Sequence, residues 1–266
     1  MNVKNLKVNL YLRLINHKLS NKIMMYIFRR LFIHERFFPG ALGLVLNPLH
    51  IGRRGLANGV QRFAARFTGD VLDFGCGSKP YRKLFDRCQS YVGLDIAVSG
   101  HDHADSQVDV FYDGKVIPFP DGRFDGVVTF ETLEHVFTLD AVLKELHRVL
   151  RPDGLLLVSV PFAWDEHEAP YDFARYTSFG LAHVLRAGGF EVIEVYKTNT
   201  FVLAVSQLFI EYISKNVAPS GGVLRALCKL LVLCPMTLLA YGLNAVLPKR
   251  DSYYSNCMVL ARRAAH

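Results

Sequence analysis

Residues 71–77 read Val-Leu-Asp-Phe-Gly-Cys-Gly, and an aspartate, Asp95, closes the next apolar run, Tyr91-Val-Gly-Leu-Asp95. The chemistry this suggests is the holding of a nucleoside-like ligand. Glycines at 75 and 77 let a ligand approach the backbone, and a carboxylate at the tip of the next strand accepts hydrogen bonds from two ribose hydroxyls. A glycine pair alone marks only a tight turn. The spacing of 22 residues from Asp73 to Asp95, with an apolar strand pattern at each end, makes nucleoside binding the stronger reading. Two later segments carry groups able to move a proton. One is Glu131–His135. The other is Pro161–Thr177, which holds the only tryptophan, Trp164, together with His167, Tyr171, Arg175 and several acids.

Those residues need strand ends to stand on. Strands are expected at 71–74, 91–95, about 107–111, 124–130, 154–160 and 190–197, and helices at about 54–67, 80–88, 139–150 and 178–188. Strands alternating with helices predict an α/β fold, a parallel sheet with both faces covered. Residues 198–250 break the rhythm. Two apolar blocks, Thr200–Ile213 and Val223–Leu247, are joined by Ala218–Gly222, and Leu230–Leu247 is 18 residues without a charge. That just reaches the length of a transmembrane candidate. Asn256–Arg262 then reads as a final strand.

At 266 residues the chain holds one large domain, or one domain with an appendage. Its net charge is +7, and residues 1–40 carry eight Lys or Arg against one acid, Glu35. The remaining residues hold 23 basic and 23 acidic side chains, so the whole excess lies in that first segment. Residues 8–33 read as a basic amphipathic helix, with Val8, Leu12, Ile15, Leu19, Ile23 and Ile27 at helical spacing, closed by Phe37-Phe38-Pro39-Gly40. The helix either caps the core or lies on an anionic membrane surface. The five cysteines show no zinc-ligand or redox-pair spacing, which points to free thiols in a reducing compartment. A cleavable signal peptide is not expected, and no metal constellation is evident. His101 and His103, beside Asp102 and Asp105, read as a solvated loop.

Over roughly residues 56–197 and 253–263 the sequence resembles the class I S-adenosylmethionine-dependent methyltransferases, in particular the small-molecule branch that includes the quinone methyltransferases. Val71–Gly77 is similar to the family's first motif. Asp95 matches its ribose-binding acid. Asp113-Gly114, five residues before Pro118-Phe119, is similar to its adenine-contacting pair. Arg123–Glu131 followed by Leu133-Glu-His135, and Glu145–Gly154, match the segments around its fourth and fifth strands. The resemblance implies a Rossmann-like sheet of seven strands, mostly parallel, with the last strand antiparallel and inserted beside the fifth. It places S-adenosylmethionine on Asp73, Gly75, Cys76 and Gly77, on Asp95 and Ile96, on Asp113 and Gly114, and on Glu131. Lys79 stands where the family often has a third glycine. It either pairs with the methionine carboxylate or faces water.

In that fold residues 1–53 are an N-terminal extension, and 54–197 with 251–266 form the methyltransferase domain. Residues 198–250 become an insertion between strands six and seven. Both strands belong to one sheet, so the insertion crosses a membrane an even number of times or not at all. A helical hairpin in the interface, with Arg225, Lys229, Lys249 and Arg250 near head groups, is favoured over a cap on the core or a dimer face. Methyl transfer to a carbon or hydroxyl needs the acceptor's proton removed, and His135 and His167 are the candidate bases. Trp164, Tyr171 and Arg175 are the candidate acceptor contacts, although Arg175 can instead tie down Asp172 or Glu168. The expected protein is a methyltransferase at the cytoplasmic membrane face, peripheral or monotopic, acting on a quinone, a lipid or a lipid-linked sugar. The rival is a catalytically silent domain serving as a membrane-bound binding or assembly partner. A nucleic-acid methyltransferase is disfavoured by the apolar arm, the neutral remainder and the absence of an Asn/Asp-Pro-Pro-aromatic motif after strand four. The sequence does not specify an oligomeric state.

Overall fold

Val71, Leu72 and Phe74 are all buried, as a strand covered on both faces requires. They lie in β1 (Gly69–Phe74) of a computed structural model that describes residues 31–97 and 106–264. The other strands are β2 (Cys88–Ile96), β3 (Val110–Tyr112), β4 (Phe124–Phe130), β5 (Leu150–Pro161), β6 (Phe190–Lys197) and β7 (Asn256–Arg263). They form one sheet in the order β3-β2-β1-β4-β5-β7-β6. β1 to β5 pair in parallel, and β7 runs antiparallel to both β5 and β6. This is the expected Rossmann-like α/β sheet. Its strand order reverses between β1 and β4, which opens a crevice above the strand ends.

Each face is closed by an apolar stripe. Helices Leu139–Val149 and Ser178–Ala187 bring Leu143, Leu146, Leu181 and Leu185 against Leu72, Leu156 and Val158. Thr177 caps the second of these, its hydroxyl accepting from the Gly180 N–H at 3.0 Å. Helix His50–Ala64 packs Leu56, Val60 and Phe63 against Val71, Val128 and Leu157 on the opposite face.

Three elements differ from expectation. The helix expected at 80–88 is only a 3-10 turn, Arg82–Leu84. Lys79 is in the left-handed region at φ 50°, Pro80 lacks an N–H, and β2 starts at Cys88, so no room remains for a propagated helix. The helix expected at 54–67 starts four residues earlier, at His50. The third strand is short and shifted to Val110–Tyr112. The amphipathic pattern at 8–33 falls mostly outside the described residues. Residues 31–37 are helical, and the turn after them is fixed by Glu35, whose carboxylate accepts from the Gly40 N–H at 2.7 Å.

The insertion is a helical hairpin. Its first arm, Phe201–Tyr212, continues through a π-helical turn, Ile213–Val217. This arm packs on helix His50–Ala64 through a small core of Ile51, Leu203, Ile210, Leu233 and Ala240. Gln207 is buried in the seam. It accepts from the Gly52 N–H at 3.1 Å and donates to the Pro48 carbonyl at 3.0 Å. The second arm, Gly222–Val246, is 25 residues long and apolar enough to cross a membrane by length and composition. Only 22% of its most apolar window is buried. The hairpin thus both packs on the core and presents an apolar outer face.

Candidate active site

The turn after β1 needs backbone that a side chain would obstruct. Gly75 and Gly77 have φ of 70° and 47°. The Gly75 and Cys76 N–H groups donate to the Leu94 carbonyl at 2.9 and 3.2 Å, which folds the turn back onto β2. Asp95, 5% exposed at the tip of β2, then fixes it: one carboxylate oxygen accepts from the Gly77 N–H at 2.9 Å and the other from the Ile96 N–H at 2.8 Å. Each oxygen retains acceptor capacity for a ribose hydroxyl. Ile96 packs beside Gly114, its Cδ1 3.1 Å from where a Cβ on that glycine would stand. Asp113 turns the chain there by accepting from the Lys115 N–H at 2.9 Å.

Behind the turn, Asp73 is fully buried and accepts from the Tyr91 hydroxyl at 2.8 Å. Burial pushes its carboxyl up to about 7. The folded value lies above the unfolded one of about 4, so the apo protein loses stability as pH rises between them. Asp73→Asn is therefore expected to melt higher than the parent at pH 8 and to converge with it near pH 4. Equal melting temperatures at both pH values would contradict that burial penalty. Lys79 does not face the turn's ligand side. It is 5% exposed and forms an ion pair with Asp109, which also accepts from the Gly93 N–H at 2.7 Å.

A cavity of about 550 Å³ opens over this turn. Asp73, Gly75, Cys76, Gly77 and Glu131 line one side, and Trp164 and His167 line another. Burial pushes the Cys76 thiol up, so it faces the cavity neutral. Asp95, Ile96, Asp113 and Gly114 stand beyond this lining, at the tips of β2 and β3. Glu131, with φ 53°, accepts from the Ser159 hydroxyl at 2.7 Å and from the Asn256 amide at 2.5 Å. The tips of β4, β5 and β7 are thereby joined at one carboxylate, which burial pushes above its ordinary value. The remaining wall comes from a region with no motif: Arg36, Phe37, Leu49, Gly52, Arg53 and Leu56. Arg53 stacks on Phe37, its guanidinium carbon 5.3 Å from the ring centroid. Arg36 and Arg53 are the cavity's cations among the described residues, the charge a methionine carboxylate requires.

The loops after β4 and β5 meet at the cavity edge. His135 donates through Nδ1 to the Tyr171 carbonyl at 2.8 Å, and its ring stands 4.8 Å, centroid to centroid, from that of His167. The Tyr171 side chain is exposed and away from the cavity. Arg175 also lies off the cavity, in a two-pronged pair with Asp172 at 2.6 Å that holds the aspartate near 2. Asp172 in turn accepts from the His167 N–H at 2.9 Å, so Arg175 shapes the loop that presents His167. One ligand atom from each of Glu134, His135 and His167 lies within 4.8 Å of the others, a grouping the sequence did not display.

A parallel sheet whose last strand turns antiparallel, carrying a glycine turn tied to an acid on the next strand, defines the class I methyl-donor fold. A family model for a methyltransferase domain matches residues 49–195, more than half of the chain. The chain belongs to the class I S-adenosylmethionine-dependent methyltransferases. One curated relative, named a probable S-adenosylmethionine-dependent methyltransferase of Mycolicibacterium smegmatis, is 33% identical over 144 residues, covering 50% of this chain and 56% of that protein. The ubiquinone/menaquinone biosynthesis C-methyltransferase UbiE of Hahella chejuensis is 32% identical over 126 residues, covering 39% and 51%. The chain spans about half the length of these relatives. The crystal structure of the [4+2]-cyclase SpnF superposes with a TM-score of 0.52 at 18% identity, covering 79% of this chain and 81% of that one, which shows the shared fold.

Proposed function

We propose that the protein transfers the sulfonium methyl group of S-adenosylmethionine to an amphiphilic or lipid-linked acceptor, at a membrane face that it grips through its apolar hairpin. The Asp95-tied glycine turn supports the donor. The methyl–sulfur bond breaks, a bond from the methyl to the acceptor's oxygen or carbon forms, and S-adenosylhomocysteine departs. The acceptor's proton has to be removed at the cavity edge where Glu134, His135, His167 and Glu168 meet. The protein's part is alignment and exclusion of water.

The observation that carries the membrane half is the outer face of Gly222–Val246. Val223, Leu224, Leu231, Leu239 and Val246 are each more than 60% exposed, and Leu42 and Leu46 add to the same side. An apolar surface of this kind marks an interaction site. Helix His50–Ala64 carries both the packed first arm of the hairpin and cavity residues Gly52, Arg53 and Leu56. An acceptor drawn from a lipid surface therefore has a short path to the donor. The H. chejuensis relative acts in ubiquinone and menaquinone biosynthesis, and an amphiphilic acceptor here is of the same general kind.

The test is flotation with anionic phospholipid vesicles, followed by transfer of labelled methyl into a membrane lipid extract. The parent protein is expected to float and to label the organic phase. The double variant Leu231→Glu/Leu239→Glu is expected to stay in the dense fraction with unchanged cofactor affinity. A parent that never floats would end the membrane reading. A parent that binds no S-adenosylmethionine would leave the silent-domain reading in its place.

A further inference from the structure

We infer that Glu134, His135 and His167 form a binding site for one first-row divalent transition ion at the edge of the cavity. The first observation is Glu134 itself. It is 0% exposed, and neither carboxylate oxygen accepts a hydrogen bond from another of the described residues. The nearest positive charge is Arg175, already committed to Asp172, and a buried carboxylate left without a well-formed hydrogen bond is costly unless a cation or a proton meets it. The group facing it is the Nε2 of His135, 3.8 Å from Glu134 Oε1.

The second observation is which nitrogen that is. The Tyr171 carbonyl can only accept, so its 2.8 Å contact with His135 Nδ1 fixes the proton there. In a neutral ring, Nε2 is left as a bare lone pair, 3.8 Å from a carboxylate oxygen of Glu134 and of Glu168. A histidine oriented through one nitrogen by a backbone carbonyl, with the other nitrogen free, has the arrangement of a metal ligand.

The third is convergence. His135 ends the 3-10 turn Leu133–His135 after β4, and His167 comes from the loop after β5. β4 and β5 are neighbours, so the sheet brings the two loops together. The three ligand atoms lie within 4.8 Å of one another, whereas around a tetrahedral ion with bonds of about 2.1 Å they would stand about 3.4 Å apart, so binding would have to draw the two loops together. Glu168 Oε2 is 3.8 Å from the same Nε2, and Glu168 borders the cavity.

Two imidazoles and one carboxylate suit zinc, cobalt, iron or manganese better than magnesium, which prefers oxygen ligands. The ion's role rests on the methyl-transfer reading. It would hold the acceptor's hydroxyl oxygen and lower its pKa, and Glu168 at the cavity edge would take the proton as the oxygen bonds to the methyl carbon and the methyl–sulfur bond breaks.

The experiment uses the full chain, stripped with chelator. Zinc and cobalt are titrated by calorimetry and by cobalt's visible spectrum, and metal content is measured after desalting. One equivalent of ion is expected per chain, with Glu134→Gln weakening affinity at least about 10- to 100-fold. His167→Ala, on a partly exposed loop, gives the same readout should the buried substitution fail to fold. Absence of stoichiometric binding overturns the site and leaves a protonated Glu134. Full affinity in both variants overturns it as well, because the ion would then sit elsewhere. S-adenosylmethionine titrated into the metal-free chain tests the donor reading separately, so either can fail alone.

Discussion

Asp95→Ala is expected to weaken S-adenosylmethionine binding by two orders of magnitude or more, measured by calorimetric titration. The carboxylate has two tasks. It accepts from the Gly77 and Ile96 N–H groups at 2.9 and 2.8 Å, which sets the turn, and it would accept from the ribose hydroxyls. A hydrogen bond to a charged group contributes about 1.5–3 kcal/mol, so two lost from the ligand correspond to a factor of ~10² to 10⁴. Asp95→Asn keeps one acceptor oxygen and is expected to fall between the alanine variant and the parent. Affinity within a few-fold of the parent in the alanine variant would falsify the ribose assignment.

Gly75→Ala is the second large effect, and here the fold itself suffers. Gly75 has φ 70°, and a Cβ there would stand 2.2 Å from Thr132 Cγ2 and 2.4 Å from its hydroxyl. The left-handed backbone costs an alanine about 1–2 kcal/mol, and an overlap this close adds at least as much. A loss of about 3 kcal/mol lowers the melting temperature of a domain this size by roughly 6–12 °C. Thr132→Ala added to the variant is expected to recover part of that loss. Gly77 is the contrasting case, since among the described residues nothing lies within 4 Å of its Cβ position. Gly77→Ala is expected to melt within a few degrees of the parent while losing cofactor affinity, because the methyl enters space meant for the ligand. A Gly75→Ala chain as stable as Gly77→Ala would show that the turn relaxes away from Thr132.

The glycine turn and its tie to Asp95 were legible because each closes an apolar strand pattern and their spacing is set by strand geometry. Gly75, Gly77 and Asp95 meet through β1 and β2, which pair in register from Asp70 opposite Ser90 to Phe74 opposite Leu94. Lys79 was open to two readings, and its ion pair depends on Asp109, thirty residues away and outside any motif. The helix expected at 80–88 did not form because apolar spacing says nothing about where the next strand must begin. The wall of Arg36, Phe37 and Arg53 was invisible for a different reason. It joins the end of one helix, at residues 36–37, to the start of another, His50–Ala64, and only tertiary packing brings them over the turn. Glu134, His135 and His167 are each visible in the sequence, but their meeting depends on two loops whose paths the chain does not encode locally. Tyr171 and Arg175 read as candidate acceptor contacts, and the fold uses the Tyr171 carbonyl and the Arg175–Asp172 pair to shape the loop.

The position of β7 between β5 and β6 also orders events during synthesis. β6 has no partner in the sheet except β7, and the apolar hairpin lies between the two in the chain. The ribosome therefore releases Phe201–Val246 while β6 is still unpaired and one edge of β5 is bare. Such a nascent chain exposes apolar surface and open strand edges together, the combination most prone to misassociation. A bilayer that accepts the hairpin at that moment would cover the apolar part and hold both ends on one side. Arrival of β7 would then close the sheet like a key inserted last.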